Sequence, residues 1–198
     1  LESRHEPAAY VIALPDAGQT PEQIAGFGAG PAFARALAEA GCTVLVPVAI
    51  SRETFASGRP DIRKCVANAM RSALRMAGLQ PTDVGHINAH GLGGKVSDLE
   101  EAQAIHDVFG DYARKVPVCG LKGFWVNSGA GDGAPELAAS LLALQQGTIP
   151  FTINTTEPDP ACGLNVVRDK LLPTDNKVVM NVNFTRIGQA SVVIVRGE

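Results

Sequence analysis

The side chains best suited to chemistry in this sequence are His90, Lys122, Asn127 and Glu136. His90 follows the run Val84 to Ala89, which reads as a short strand that would carry the imidazole at its carboxyl end. Asn127 lies just ahead of a helical stretch. A carboxamide there donates a hydrogen bond without titrating, and the dipole of a following helix favours negative charge nearby. Lys122 and Glu136 carry opposite charges and could pair. Each also has a plainer reading: His90 as a strand-end group satisfied by water, Asn127 as a turn residue, and Lys122 with Glu136 as an ordinary ion pair or as solvated charges.

Other chemistries find less support. Cys42, Cys65, Cys119 and Cys162 are widely spaced with no Cys-x-x-Cys, which argues against a metal knuckle. Nothing implies secretion, so they read as reduced thiols of a cytoplasmic protein. None clearly has the helix N-terminus or cationic neighbour that a reactive thiol wants. Leu14 to Gly18, a helix, then Thr43 to Pro47 resembles the early sheet of α/β-hydrolases. No Gly-x-Ser-x-Gly elbow follows, which disfavours a hydrolase or hydrolase-like binding domain. Gly26-Phe27-Gly28-Ala29-Gly30 lacks the spacing of a nucleotide loop.

The elements that would position these residues alternate. A strand at Tyr10 to Leu14, a helix at Pro31 to Ala40 and a strand at Thr43 to Val48 come first, then a loop from Ser51 to Pro60. Asp61 caps a helix that Gly78 ends, with Val66, Met70, Ala73, Leu74 and Ala77 on one face. Ser97-Asp98-Leu99-Glu100 is a capping box for a helix to about Val108. Val116 to Cys119 is a strand, Pro135 to Gln146 a helix stopped by Gly147, and Ile149 to Asn154 extended. Two β-rich runs, Lys177 to Phe184 and Ala190 to Arg196, close the chain. This order argues for a layered α/β domain with a mixed sheet.

Composition sets the outer bounds. Of 198 residues, 45% are hydrophobic and 19% charged, enough for one core and too apolar for disorder. The net charge of -3, without a Lys/Arg stripe, gives no footing for nucleic acid. The apolar runs are too short to cross a bilayer, and the start shows no signal-peptide pattern. Beginning at Leu1, the chain reads as processed, trimmed or one part of something longer.

Several tracts, in order, resemble the β-ketoacyl-acyl-carrier-protein synthases, condensing enzymes of the thiolase fold. Ile87-Asn88-Ala89-His90-Gly91 is similar to their Asn-Ala-His-Gly tract, with Asp98 and Glu101 at the acidic positions that follow. Val116 to Lys122 resembles the strand leading to the family's lysine. Gly147-Thr148-Ile149-Pro150-Phe151-Thr152-Ile153-Asn154 resembles Gly-x-Ile-Pro-Pro-Thr-x-Asn, and Pro158-Asp159-Pro160 a Pro-Asp-Pro segment. The likeness covers about Arg59 to Glu198, and Leu1 to His5 resembles the point where the second half of such enzymes begins. It implies a thiolase-like α/β half with a mixed five-stranded sheet flanked by helices. The domain expected is one C-terminal domain over 1–198, with 6–58 an atypical strand-helix-strand segment.

The resemblance also implies chemistry. In the family an acyl group sits on a cysteine of the first half, and a malonyl thioester on a carrier protein loses carbon dioxide. The resulting enolate attacks the acyl thioester, and two polar groups stabilise its oxygen. His90 matches the first family histidine, and Asn127 stands where the second would be. Lys122 with Glu136 matches the pair that holds the site. The implied substrates are acyl and malonyl thioesters on acyl carrier protein or coenzyme A, in fatty acid or polyketide synthesis. No metal or organic cofactor is needed, nor any nucleic-acid or membrane partner. The expected mate is an N-terminal ketosynthase half or a homodimer partner.

Three departures stand against that pattern. No Ala-Cys-Ser nucleophile tract is present. His-Gly-Thr-x-Thr has become His90-Gly91-Leu92-Gly93-Gly94, without the threonines that bind the pantetheine arm. The Gly-Phe-Gly-Gly gating loop has become Asn183-Phe184-Thr185-Arg186-Ile187-Gly188-Gln189, where Thr185 and Arg186 resist unusual backbone conformations. The alternative is therefore a non-catalytic ketosynthase-like partner or regulatory subunit.

Overall fold

In the computed structural model the described residues are 10–12, 25–27, 29, 32–40, 43–45 and 61–197. Contacts divide the chain into two units, Leu1–Ala49 and Ile50–Glu198. In the first, β1 (Tyr10–Ile12) pairs in parallel with β2 (Thr43–Leu45), with α1 (Phe33–Glu39) between them in sequence. Over the described residues this is the expected strand-helix-strand order. The loop read over Ser51 to Pro60 and the opening Leu1 to His5 lie outside the described residues.

The second unit begins with α2 (Ile62–Ala77), where the Asp61 side chain accepts from the Lys64 N–H at 3.1 Å and Gly78 closes the helix at φ 66°. Both ends are those the sequence signals, because Asp satisfies a free N–H and Gly takes the left-handed turn without a Cβ clash. Its buried stripe runs from Ile62 through Val66 and Met70 to Leu74, and Ala77 in the final turn is exposed. Next come β3 (His86–Ala89) and α3 (Lys95–Phe109). The latter starts at Lys95, ahead of the expected capping box. The Ser97 hydroxyl donates back to Gly94 O, and Asp98 accepts from the Gly93 N–H, so these residues serve the first turn from within it.

Beyond α3 lie β4 (Pro117–Gly120), the short α4 (Lys122–Trp125) and α5 (Gly133–Gln145). They are followed by β5 (Thr148–Ile149), β6 (Asn165–Val166), β7 (Leu172–Pro173), β8 (Val178–Phe184) and β9 (Ala190–Arg196). Five strands form one sheet in the order β6-β4-β3-β8-β9, parallel except for the antiparallel β8/β9 pair.

The period of two in the strands gives the sheet two different faces. Ile87, Val118, Met180 and Val182 join Val66, Met70 and Ile105 in the main core beneath α2 and α3. Burying each such side chain is worth about 1.5–3 kcal/mol. The opposite face packs Val179, Val193 and Val195 against Leu137, Leu141 and Leu144 of α5. Asparagines also occupy that second face and bind α5 to the sheet. The Asn88 amide donates to Glu136 O and Ser140 Oγ, each at 2.9 Å, and Asn181 donates to Gly133 O at 3.0 Å.

Candidate active site

The carboxyl ends of the parallel strands β3 and β4 collect the polar groups. His90 follows the last residue of β3 and is 7% exposed. Its N–H and that of Gly91 donate to the two oxygens of Glu101, at 2.7 and 3.0 Å. The turn needs glycine, because Gly91 has φ 51° and a Cβ there would lie 3.2 Å from the Gly120 Cα. Lys122, at the start of α4, reaches across to donate to His90 O at 2.7 Å and to Glu136 Oε1 at 2.5 Å.

Glu136 projects from α5 and is fully buried, and its Oε2 accepts from Asn183 Nδ2 at 3.0 Å. Asn183 Oδ1 in turn lies 3.2 Å from His90 Nδ1. The imidazole packs against Phe184, with ring centroids 4.4 Å apart. Backbone and side chain of His90 are thus both held.

Three of the four residues read from the sequence, His90, Lys122 and Glu136, share one hydrogen-bonded network. Asn127 is not bonded into it. It is exposed on the loop after α4, and its Oδ1 accepts from the Gly129 N–H at 3.0 Å, the turn role of an asparagine. The helix expected to lend it a dipole begins at Gly133, and a carboxylate already stands at that terminus: Asp132 is fully buried and lies 3.9 Å from Lys122 Nζ. Asp132 Oδ1 accepts from the Ser128 N–H, while Oδ2 has no hydrogen-bond partner among the described residues.

The residues that sequence reasoning passed over are Asn183 and Asp132. A signal existed for Asn183: in β8, Asn181 and Asn183 recur at a spacing of two in an otherwise apolar strand, so both face the same buried layer.

Lys122 is the one cation in this network, facing three buried carboxyls. Burial pushes Glu101 up to about 7, although two backbone N–H groups oppose the shift. Burial also raises Glu136 above the usual carboxylate range, partly offset by its bonds from Lys122 and Asn183. His90 is held below the ordinary histidine value, first by burial and then by the charge of Lys122. The thiols of Cys119, Cys65 and Cys162 are all pushed up by burial, away from thiolate. Cys42 lies outside the described residues. Among the described residues no group of side chains could hold a metal ion, and no helix is long and apolar enough to cross a membrane.

A mixed five-stranded sheet layered between α2 with α3 and α5, with a polar site at its strand ends, is the architecture of a thiolase-like half. The model of the β-ketoacyl synthase C-terminal domain matches residues 42–156. Nodulation protein E of Rhizobium meliloti is 36% identical over 178 residues, 86% of this chain and 44% of that protein. The 3-oxoacyl-[acyl-carrier-protein] synthase 2 of Coxiella burnetii is 33% identical, covering 71% of this chain and 34% of its own length. Among solved structures, the ishigamide ketosynthase/chain length factor superposes with a TM-score of 0.67 at 33% identity, over 71% of this chain and 34% of that one. This chain belongs to the β-ketoacyl synthase family, matching its C-terminal domain. It spans less than half the length of these relatives.

Proposed function

We propose that this chain supplies the C-terminal part of a β-ketoacyl synthase active site, for decarboxylative condensation of acyl and malonyl thioesters in fatty acid or polyketide synthesis. The observation that carries the reading is the hold on His90. Its carbonyl is bonded to Lys122, its N–H to Glu101 and its Nδ1 to Asn183, so the imidazole is preorganised at a strand end. His90 and Asn127 are the polar groups offered to the thioester, while Lys122 and Glu136 hold the site. The nucleophile comes from another segment, an N-terminal ketosynthase half or a homodimer mate, since burial disfavours the thiolate at each described cysteine. The thioesters are carried on acyl carrier protein or coenzyme A, and the setting is cytoplasmic.

A second reading is favoured by Asp132. A buried carboxylate beside Lys122 opposes the negative charge that an enolate would develop nearby. With Leu92 and Gly94 in place of the family threonines, this supports a non-catalytic partner of a synthase. The ishigamide protein, similar in fold and sequence, is itself a ketosynthase/chain length factor.

The two readings separate in a decarboxylation assay on malonyl-carrier protein with the nucleophile half supplied. The first expects turnover that falls about 10²-fold or more in His90→Ala. Absence of decarboxylation under every pairing selects the second.

A further inference from the structure

We infer that Asn183 is a positioning residue that fixes the tautomer of His90, keeping the proton on Nδ1 and presenting Nε2 as a lone pair. The meaning of this for substrate rests on the condensing-enzyme reading above; the tautomer itself does not.

Hydrogen-bond polarity is set outward from Lys122. An ammonium only donates, and it lies 2.5 Å from Glu136 Oε1. A carboxylate paired with it accepts at both oxygens, so the group facing Oε2 must be a donor. That group is Asn183 Nδ2, at 3.0 Å. The amide is thereby oriented, with Oδ1 turned to His90 Nδ1 at 3.2 Å. An amide oxygen only accepts, so Nδ1 carries the hydrogen. Turning the amide over would set oxygen against carboxylate and leave a buried acceptor unmet. Gly133 also fits the arrangement, because a Cβ there would lie 3.3 Å from Asn183 Nδ2.

The neutral imidazole therefore offers an acceptor at Nε2. It suits a donor of the substrate, an amide N–H or a hydroxyl, or a water. It can hold an enolate oxygen only as the imidazolium. Of the two polar groups offered to the thioester, Asn127 is the one that can donate without titrating.

The test is multiple-bond proton–nitrogen NMR of the full chain labelled with ¹⁵N-histidine, at pH 8 and without substrate, His90→Gln assigning the signal. The wild type is expected to show pyrrole-type Nδ1 and pyridine-type Nε2 for His90. Asn183→Leu should release the ring toward the Nε2–H form, with the signals of His86 and His106 in place as a check on folding. Asn183→Asp, protonated against Glu136 Oε2 and still an acceptor at Nδ1, should retain the Nδ1–H form. An Nε2–H signature in the wild type overturns the inference, as does an unchanged tautomer in folded Asn183→Leu. If Asn183→Leu does not fold, loss of the Nδ1–H form in Asn183→Asp overturns it. Failure of the decarboxylation assay leaves this result untouched, so the two ideas fail separately.

Discussion

Lys122 Nζ donates to the carbonyl oxygen of His90 at 2.7 Å, so a buried cation from α4 is bonded to the backbone where β3 ends. The same nitrogen reaches Glu136 on α5, and one side chain thereby joins three elements around the site.

Removing either partner of this pair leaves a buried charge without its counterion. Lys122→Met and Glu136→Leu should each destabilise the protein by about 3–5 kcal/mol, while the double variant loses much less than the sum. A double-mutant cycle in urea measures this. Losses that simply add would show that the pair is not coupled.

Two buried groups set opposing pH dependences. Burial raises Glu101 from 4.5 to about 7, so the fold favours its protonated form. That contribution is full below pH 4.5 and is lost as pH rises through 7. Burial lowers His86 from 6.5 to about 4, and neither ring nitrogen has a hydrogen-bond partner among the described residues. Its contribution is full above pH 6.5 and is lost as pH falls through 4. Each amounts to roughly 3 kcal/mol. The contributions of these two groups should nearly cancel between pH 4.5 and 6.5. Relative to wild type, the stability of Glu101→Gln should rise with pH across that window and that of His86→Phe should fall. Chemical denaturation at pH 5 and pH 6.5 reads both slopes, and two variants that track the wild type would remove this account.

Val126 ends α4 at φ 67° and ψ 173°, a region that suits glycine and not a β-branched side chain. It is 73% exposed, so truncation forfeits little burial. Val126→Gly should stabilise the protein by about 1 kcal/mol, seen as a higher denaturation midpoint at unchanged slope. A lower midpoint would mean that the strained turn is supported by contacts of the valine.

Local chemistry made much of the fold legible. Asp61 and Gly78 bound α2 because a carboxylate satisfies a free N–H and glycine tolerates the left-handed turn. The β-rich runs Lys177 to Phe184 and Ala190 to Arg196 marked the closing strands, because β-branched side chains suit a pleated strand. His90, Lys122 and Glu136, singled out by their types and tracts, share one hydrogen-bonded network in the fold.

Tertiary structure decided which of those side chains meet. Lys122 and Glu136 lie 14 residues apart, and a helix start and a helix turn had to pack on one sheet before they could pair. Asn183, 93 residues from His90, is brought to the imidazole only by the parallel pairing of β3 with β8. Asn127 is the converse. It is not bonded into that network: the chain turns at Val126, and the amide oxygen accepts from the Gly129 N–H. Sequence dictates what a side chain can donate or accept. Only the packed sheet and helices determine what stands close enough to receive it, because hydrogen bonds act over about 3 Å and positions along the chain do not encode that distance.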